Sequence, residues 1–163
     1  MTTTKTRTET KTGTVRLSRV IKAPPERVYN AFLDVDALGK FLPPAGYTGR
    51  FDRADGRVGG KFHGSFTSLD KKDHHAFGGT YVELKPFERI VHTDTFDTDH
   101  PDLQGEMRVT ITFKKVPDGT EVTILQEGIP KAVPVESAQL GWTSSLENLA
   151  NLVELPEMAG VEG

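Results

Sequence analysis

The sequence predicts an α+β fold: a curved antiparallel sheet of about six to seven strands wrapped around one long C-terminal helix, with two short helices after strand 1. Three observations carry this. Strand-like alternation broken by turn residues fills the middle of the chain, from Tyr47 to Glu127. Sustained helical periodicity comes near the end, at Leu140, Trp142, Leu146, Leu149, Leu152 and Val153. Pro24-Pro25-Glu26 opens a short helix directly after the first strand. A sheet with one apolar face must hide it, and only the last helix is long enough to cover it.

The elements follow in order. Residues 14–22 form a strand with Val15, Leu17 and Ile21 on one face, and Arg19 shares that parity. Proline is tolerated in a first helical turn, and Glu26 suits the positive end of the dipole. Val28 and Phe32, four apart, give that helix its buried face. Asp34 and Asp36 are cap candidates for a second short helix through Phe41, which Pro43-Pro44 stops. Four strands follow at residues 47–52, 60–68, 75–84 and 88–96, separated by Asp55-Gly56, residues 70–73 and Lys85-Pro86. Past a polar loop near residues 97–101, Met107, Val109, Ile111 and Phe113 alternate with Arg108, Thr110, Thr112 and Lys114, one dry face and one wet. Pro117-Asp118-Gly119 turns the chain into a strand at 121–127, and Gly128-Ile129-Pro130 breaks it. The long helix runs from about Pro134 or Val135 to Glu154, with Pro156 as its stop and residues 157–163 frayed. Residues 1–13 hold no apolar side chain after Met1 and read as a disordered Thr-rich tail, so the domain is 14–156.

Composition excludes much. The chain has 163 residues, the size of one domain. It has no cysteine, which removes disulfide scaffolds, thiolate catalysis and cysteine-ligated metal. A net charge of −3 leaves no electrostatic footprint for nucleic acid. No apolar run approaches a transmembrane span and no signal peptide follows Met1, so no membrane partner is expected and the cytoplasm is the simplest compartment. No P-loop, no His-Glu-x-x-His and no Gly-x-Ser-x-Gly elbow is present. No cofactor and no metal is expected, and no catalytic residue is assigned.

The polar candidates are few. His63, His74, His75, His92 and His100 are the only imidazoles; His74 and His75 beside Asp73 read as solvent-facing loop side chains rather than metal ligands, since adjacent residues on a strand point to opposite faces. His92 lies mid-strand on the parity of Ile90, Asp94 and Phe96, either as a core histidine bonded to backbone or as one that orients a ligand. Gln126 shares parity with Val122 and Ile124, and either bonds a loop carbonyl or meets a ligand. Arg19 on the dry parity must pair with an acid or reach the rim, because an unpaired buried guanidinium is costly. Glu106 at the mouth of the 107–113 strand is a further candidate, or simply solvated.

Several strings, in this order, resemble the START-like superfamily, also called SRPBCC, and within it the group related to the C-terminal domain of the activator of Hsp90 ATPase (AHSA1-type). They are Arg19-Val20-Ile21-Lys22-Ala23-Pro24-Pro25-Glu26-Arg27-Val28, Phe41-Leu42-Pro43-Pro44-Ala45-Gly46-Tyr47-Thr48-Gly49, Val58-Gly59-Gly60, Phe77-Gly78-Gly79-Thr80-Tyr81-Val82-Glu83-Leu84, Glu88-Arg89-Ile90-Val91, and Gly141-Trp142 with Ser145-Leu146-Glu147-Asn148-Leu149. Phe41 stands where many relatives carry Trp. The resemblance implies the helix-grip, Bet v1-like fold and a cavity where the far strands diverge from the helix. The expected cavity wall is Phe32 and Phe41 from the helical plug, then Phe62, Phe66, Tyr81, His92 and Phe96 from the middle strands. Met107, Val109, Ile111 and Gln126 come from the last two strands, and Trp142, Leu146 and Leu149 from the helix. The leading expectation is a protein that binds an apolar or aromatic small molecule. A cyclase- or dehydratase-like enzyme using the same cavity ranks second. An interaction domain of the Hsp90 co-chaperone kind ranks third, since that co-chaperone's separate N-terminal domain has no counterpart here. A homodimer is left open.

Overall fold

The computed structural model describes residues 12–162. Its elements are β1 (Thr12–Ile21), α1 (Pro25–Ala31), α2 (Val35–Phe41), β2 (Tyr47–Ala54), β3 (Lys61–Ser68), β4 (His74–Lys85), β5 (Arg89–Phe96), a 3-10 turn (Pro101–Leu103), β6 (Met107–Val116), β7 (Gly119–Pro130) and α3 (Val135–Glu162). The strands form one seven-stranded sheet in the order β1-β7-β6-β5-β4-β3-β2, with antiparallel neighbours throughout. From β2 to β7 the chain is a meander of hairpins. β1 alone leaves sequence order, pairing with β7 at the far edge, so α1 and α2 lead the chain from one sheet edge to the other. This is the helix-grip arrangement, with α3 laid across the concave face.

The short helices form for local reasons. Pro25 starts α1 with Glu26 in its first turn. The Asp34 carboxylate caps α2 by accepting from Asp36 N at 2.8 Å and Ala37 N at 3.1 Å, which satisfies two otherwise unpaired donors. Their rings plug one end of the sheet. Phe32 packs edge-on against Phe41 (4.9 Å) and Phe113 (5.5 Å), and Tyr29 against Phe113 (5.5 Å). Arg27 donates to the Val153 carbonyl at 3.2 Å, and the Lys22 backbone donates to Glu154 at 2.8 Å, joining this plug to α3.

Three boundaries differ from the sequence expectation. β1 begins at Thr12 rather than Thr14, because Thr12 and Gly13 pair with Pro130 and Ile129. The rest of the expected tail lies outside the described residues. Gly128-Ile129-Pro130 does not break β7. The register shifts opposite Gly13 and Thr14, and Gly128, at φ +79°, absorbs one extra residue as a bulge before pairing resumes. Finally, α3 continues past Pro156 to Glu162. Proline fixes φ near the helical value, so it deletes one backbone bond without compelling a stop.

Further register shifts fall between Phe51 and Arg53 in β2 and between Tyr81 and Glu83 in β4. Bulges bend the strands that carry them, which turns the β2–β4 side of the sheet away from α3. The other side is tightly packed: Ile21, Val109, Ile111, Ile124, Leu146 and Leu149 are at most 2% exposed within one core cluster. Val15, Met107 and Ile129 form a smaller cluster, packed by Ala138 and Trp142.

Candidate functional site

A cavity of about 240 Å³ lies between the first half of α3 and the concave face of the sheet, mainly toward β3, β4 and β5. It exists because of side-chain size along one helix stripe. Further along α3, Leu146, Leu149, Ala150 and Val153 are buried in the core. Toward its start the stripe becomes Ala138, Gly141, Trp142 and Ser145, and all four line the void. Three small side chains at helical spacing cannot reach a sheet that is curving away. Phe51, Phe62, Phe66, Phe77, Tyr81 and Phe96 form most of the opposite wall, and Phe32, Ile90 and Ile111 close its inner end. Pro44, Val133 and His75 line the opposite end, where the His75 side chain is 43% exposed.

The polar groups are mostly committed. The Trp142 indole Nε1 donates to Gln126 Oε1 at 2.8 Å, and Gln126 Nε2 turns to Met107 Sδ at 3.3 Å. Gln126 thus bonds neither a loop carbonyl nor free space; it fixes the indole. Ser145 Oγ donates to the Leu42 carbonyl at 2.6 Å, holding the loop after α2 against the helix. His92 lies edge-on to Phe62 at 4.8 Å, and its Nδ1 lies 2.8 Å from the Thr93 carbonyl. A carbonyl only accepts, so Nδ1 carries the proton and Nε2 is left as an acceptor. Burial pushes this imidazole down to about 4, against the favourable backbone bond to Thr93. His92 is neutral at pH 7.

Two residues along β5 from His92 sits Asp94, on the same face and also lining the cavity. Its Oδ1 is buried with no hydrogen-bond partner. Burial pushes its carboxyl up to about 8, opposed by a bond to the Thr95 backbone. An apolar cavity thus holds one carboxylic acid, mostly protonated at pH 7, and one neutral imidazole.

The structure brings together Phe32, Phe62, Phe66, Tyr81, His92, Phe96, Met107, Ile111, Gln126 and Trp142 around this void. Phe41, Val109, Leu146 and Leu149 do not line it. They are at most 1% exposed in the packed cluster, because α3 lies directly on the sheet there and leaves no space. Arg19 and Glu106 are exposed and take no part. His74 and His75 open β4 rather than sitting in a loop. His74 bonds Thr67 Oγ1 at 2.9 Å, and His75 turns one side to the cavity while meeting Asp73 at 3.1 Å. His63 faces solvent beside Asp52, and His100 Nδ1 accepts from Asp102 N at the 3-10 turn. Asp94 and the small stripe were missed. Both left a trace: an acid inside an otherwise apolar strand parity, and Ala, Gly and Ser at helical spacing beside the one tryptophan. Among the described residues no three His, Asp or Glu side chains cluster as metal ligands would, and no helix is long and apolar enough to cross a membrane.

The family model described as "Activator of Hsp90 ATPase homolog 1-like protein" matches residues 22–154. The chain belongs to this family. The resemblance read from the sequence strings and the helix-grip architecture both stand on that match. Among solved structures, a protein from Chromobacterium violaceum is 50% identical over 86% of this chain and 96% of its own, with a TM-score of 0.82. A Rhodobacter sphaeroides protein (19% identity, 87% and 92% covered, TM-score 0.74) is similar in fold. So is an AHSA1-like protein from Aeromonas hydrophila (22%, 89% and 94%, 0.72). No curated protein matches the chain. The family's fold is one commonly used as a ligand-binding domain.

Proposed function

We propose that the chain is a small-molecule binding protein that holds an apolar or aromatic ligand between the sheet and the first half of α3. One observation carries this reading: the void is ring-lined, and Ala138, Gly141 and Ser145 keep it open where ordinary core side chains would fill it. At about 240 Å³ it lies just below the ~300–1,000 Å³ of drug-sized sites, which suits a ligand of one or two rings. Gln126 and Ser145 support the walls through their bonds to Trp142 and Leu42.

The reading is tested with an apolar fluorescent dye and with Trp142, the only tryptophan in the chain, as an internal reporter. Wild type binds the dye, and Trp142 emission changes on binding. In Gly141→Phe the new ring enters the void, since a Cβ at this position meets nothing closer than Pro44 Cβ at 4.0 Å. This variant keeps the fold and loses the dye. Dye binding that survives Gly141→Phe at wild-type affinity would sink the reading.

The neutral His92 imidazole, which lines the same space with Nε2 as its acceptor nitrogen, favours a second reading: proton abstraction from a bound substrate, the cyclase- or dehydratase-like alternative. His92→Phe separates the two. A binding protein keeps its dye affinity in that variant, whereas an enzyme loses turnover of its substrate. The Hsp90 ATPase activation named in the family description is a further test, read as stimulation of a purified Hsp90 ATPase, and nothing in the cavity calls for it.

A further inference from the structure

Asp94 gives the cavity a chemical preference. Of the hydrogen-bonding groups placed there, the donors at Trp142 Nε1, Ser145 Oγ and His92 Nδ1 are spent on Gln126, Leu42 and Thr93. The groups left over are the Tyr81 hydroxyl, the Asp94 carboxyl and His92 Nε2, and of these only Asp94 can take a negative charge near neutral pH. Asp94 Oδ1 is buried without a partner, and the His92 bond to Thr93 uses Nδ1, which leaves Nε2 as an acceptor. No lysine or arginine lines the void. The surrounding wall is made of rings, whose negative faces attract a cation once water is excluded.

We propose that the cavity selects small organic cations: a primary or secondary amine whose ammonium meets Asp94 and whose ring or alicyclic body fills the space beneath Trp142. This rests on the small-molecule reading above. A buried carboxyl with an unmet oxygen is costly, and a ligand ammonium supplies both the missing donor and the missing charge. A neutral ligand can meet the protonated Asp94 carboxyl but supplies no charge to match its ionised form.

Proton linkage follows from the same placement. Besides Asp94, the titratable groups lining the cavity are His75 and Tyr81 on β4 and His92 on β5; β3, β6, β7, α3 and the loop after α2 present none. His92 is already neutral, and Tyr81 is pushed up to about 12 by burial and by Asp55. His75 sits at the solvent end with Asp73. With its carboxyl raised to about 8, Asp94 is mostly protonated in the free protein at pH 7. An ammonium beside it favours the ionised form, so binding releases close to one proton, and affinity rises with pH from 6 to 8.

The test compares 1-naphthylmethylamine with its neutral isostere 1-naphthalenemethanol by calorimetry, at pH 7, in buffers of different ionisation enthalpy. Wild type binds the amine at least about tenfold tighter, a margin of ~1.4 kcal/mol within reach of one charge-assisted contact. It also releases about one proton on binding. Asp94→Asn, which keeps the shape, still binds the alcohol and loses both the preference and the proton release. Equal affinities in wild type, or an amine preference that survives Asp94→Asn, overturn the cation proposal while leaving the cavity reading intact. If neither probe nor the apolar dye binds, both readings fall together.

Discussion

At the scale of single residues, β5 concentrates the chemistry. Ile90, His92, Asp94 and Phe96 alternate inward, so one strand places an imidazole and a carboxyl two positions apart on an apolar wall. Their burial shifts act in opposite directions on stability. Asp94 keeps its proton in the folded state up to about pH 8 but loses it near 3.8 when unfolded, so its contribution falls as pH rises through that window. His92 gives up its proton near 4 when folded and 6.5 when unfolded, so its contribution rises with pH between those values. The two offset each other from about pH 4 to 6.5. From 6.5 to 8 Asp94 acts alone, and stability falls by up to ~1.4 kcal/mol per pH unit. Urea unfolding at pH 6.5, 7.25 and 8 checks this: wild type declines across the series and Asp94→Asn stays level. Parallel declines in the two proteins would place the titrating group elsewhere. The carboxylates Asp52, Asp55, Asp70 and Asp73, outside the cavity lining, are held below their ordinary 3.8 mainly by side-chain hydrogen bonds from His63, Arg53, Ser68 and Tyr47, so their effect is lost only in more acid solution.

At the scale of elements, two glycines have opposite uses. Gly128 is a bulge at φ +79°, and a Cβ there would meet the Glu106 carbonyl at 3.0 Å. Gly128→Ala therefore costs more than about 1 kcal/mol, measured as a drop in denaturation midpoint without change of slope. Gly141 sits inside α3 with open space beside it, and its absent side chain serves the cavity rather than the backbone. Gly141→Ala accordingly raises stability by about 0.5–1 kcal/mol, the usual difference between these residues in a helix interior. A loss of stability would show that the helix needs Gly there for close packing. Alternation and capping made most elements legible: Asp34 caps α2 as its type and position indicated, and β6 runs on the expected parity. Gly128-Ile129-Pro130 misled because the same residues that stop a strand also make a bulge, and only the presence of β1 as a partner decides between them.

For the whole molecule, the decisive feature is where the helix touches the sheet. Val109, Leu146 and Leu149 lie in the packed cluster, so Val109→Trp overpacks it and costs typically 1–3 kcal/mol or more, read as a lower midpoint in urea. A Val109→Trp protein as stable as wild type would mean that the void reaches Val109. The cavity lies mainly toward the β3–β5 side, where β2 and β4 carry bulges and the sheet curves off.

The sequence by itself determined the fold class, the family, and the identity of nearly every element, because strand alternation, helix periodicity and caps are local properties of consecutive residues. It also placed many of the ring residues that meet at the cavity, since parity along a strand decides which of them face inward. Which inward residues pack and which border a void was decided only by the tertiary structure. That outcome depends on the distance between α3 and each strand, and the distance is set jointly by bulges in β2 and β4 and by small side chains at Ala138, Gly141 and Ser145, elements far apart in the chain. The same closure leaves Asp94 Oδ1 buried without a partner: an aspartate on an apolar strand face is visible in the sequence, but only the packing around the cavity decides that no other side chain reaches that oxygen.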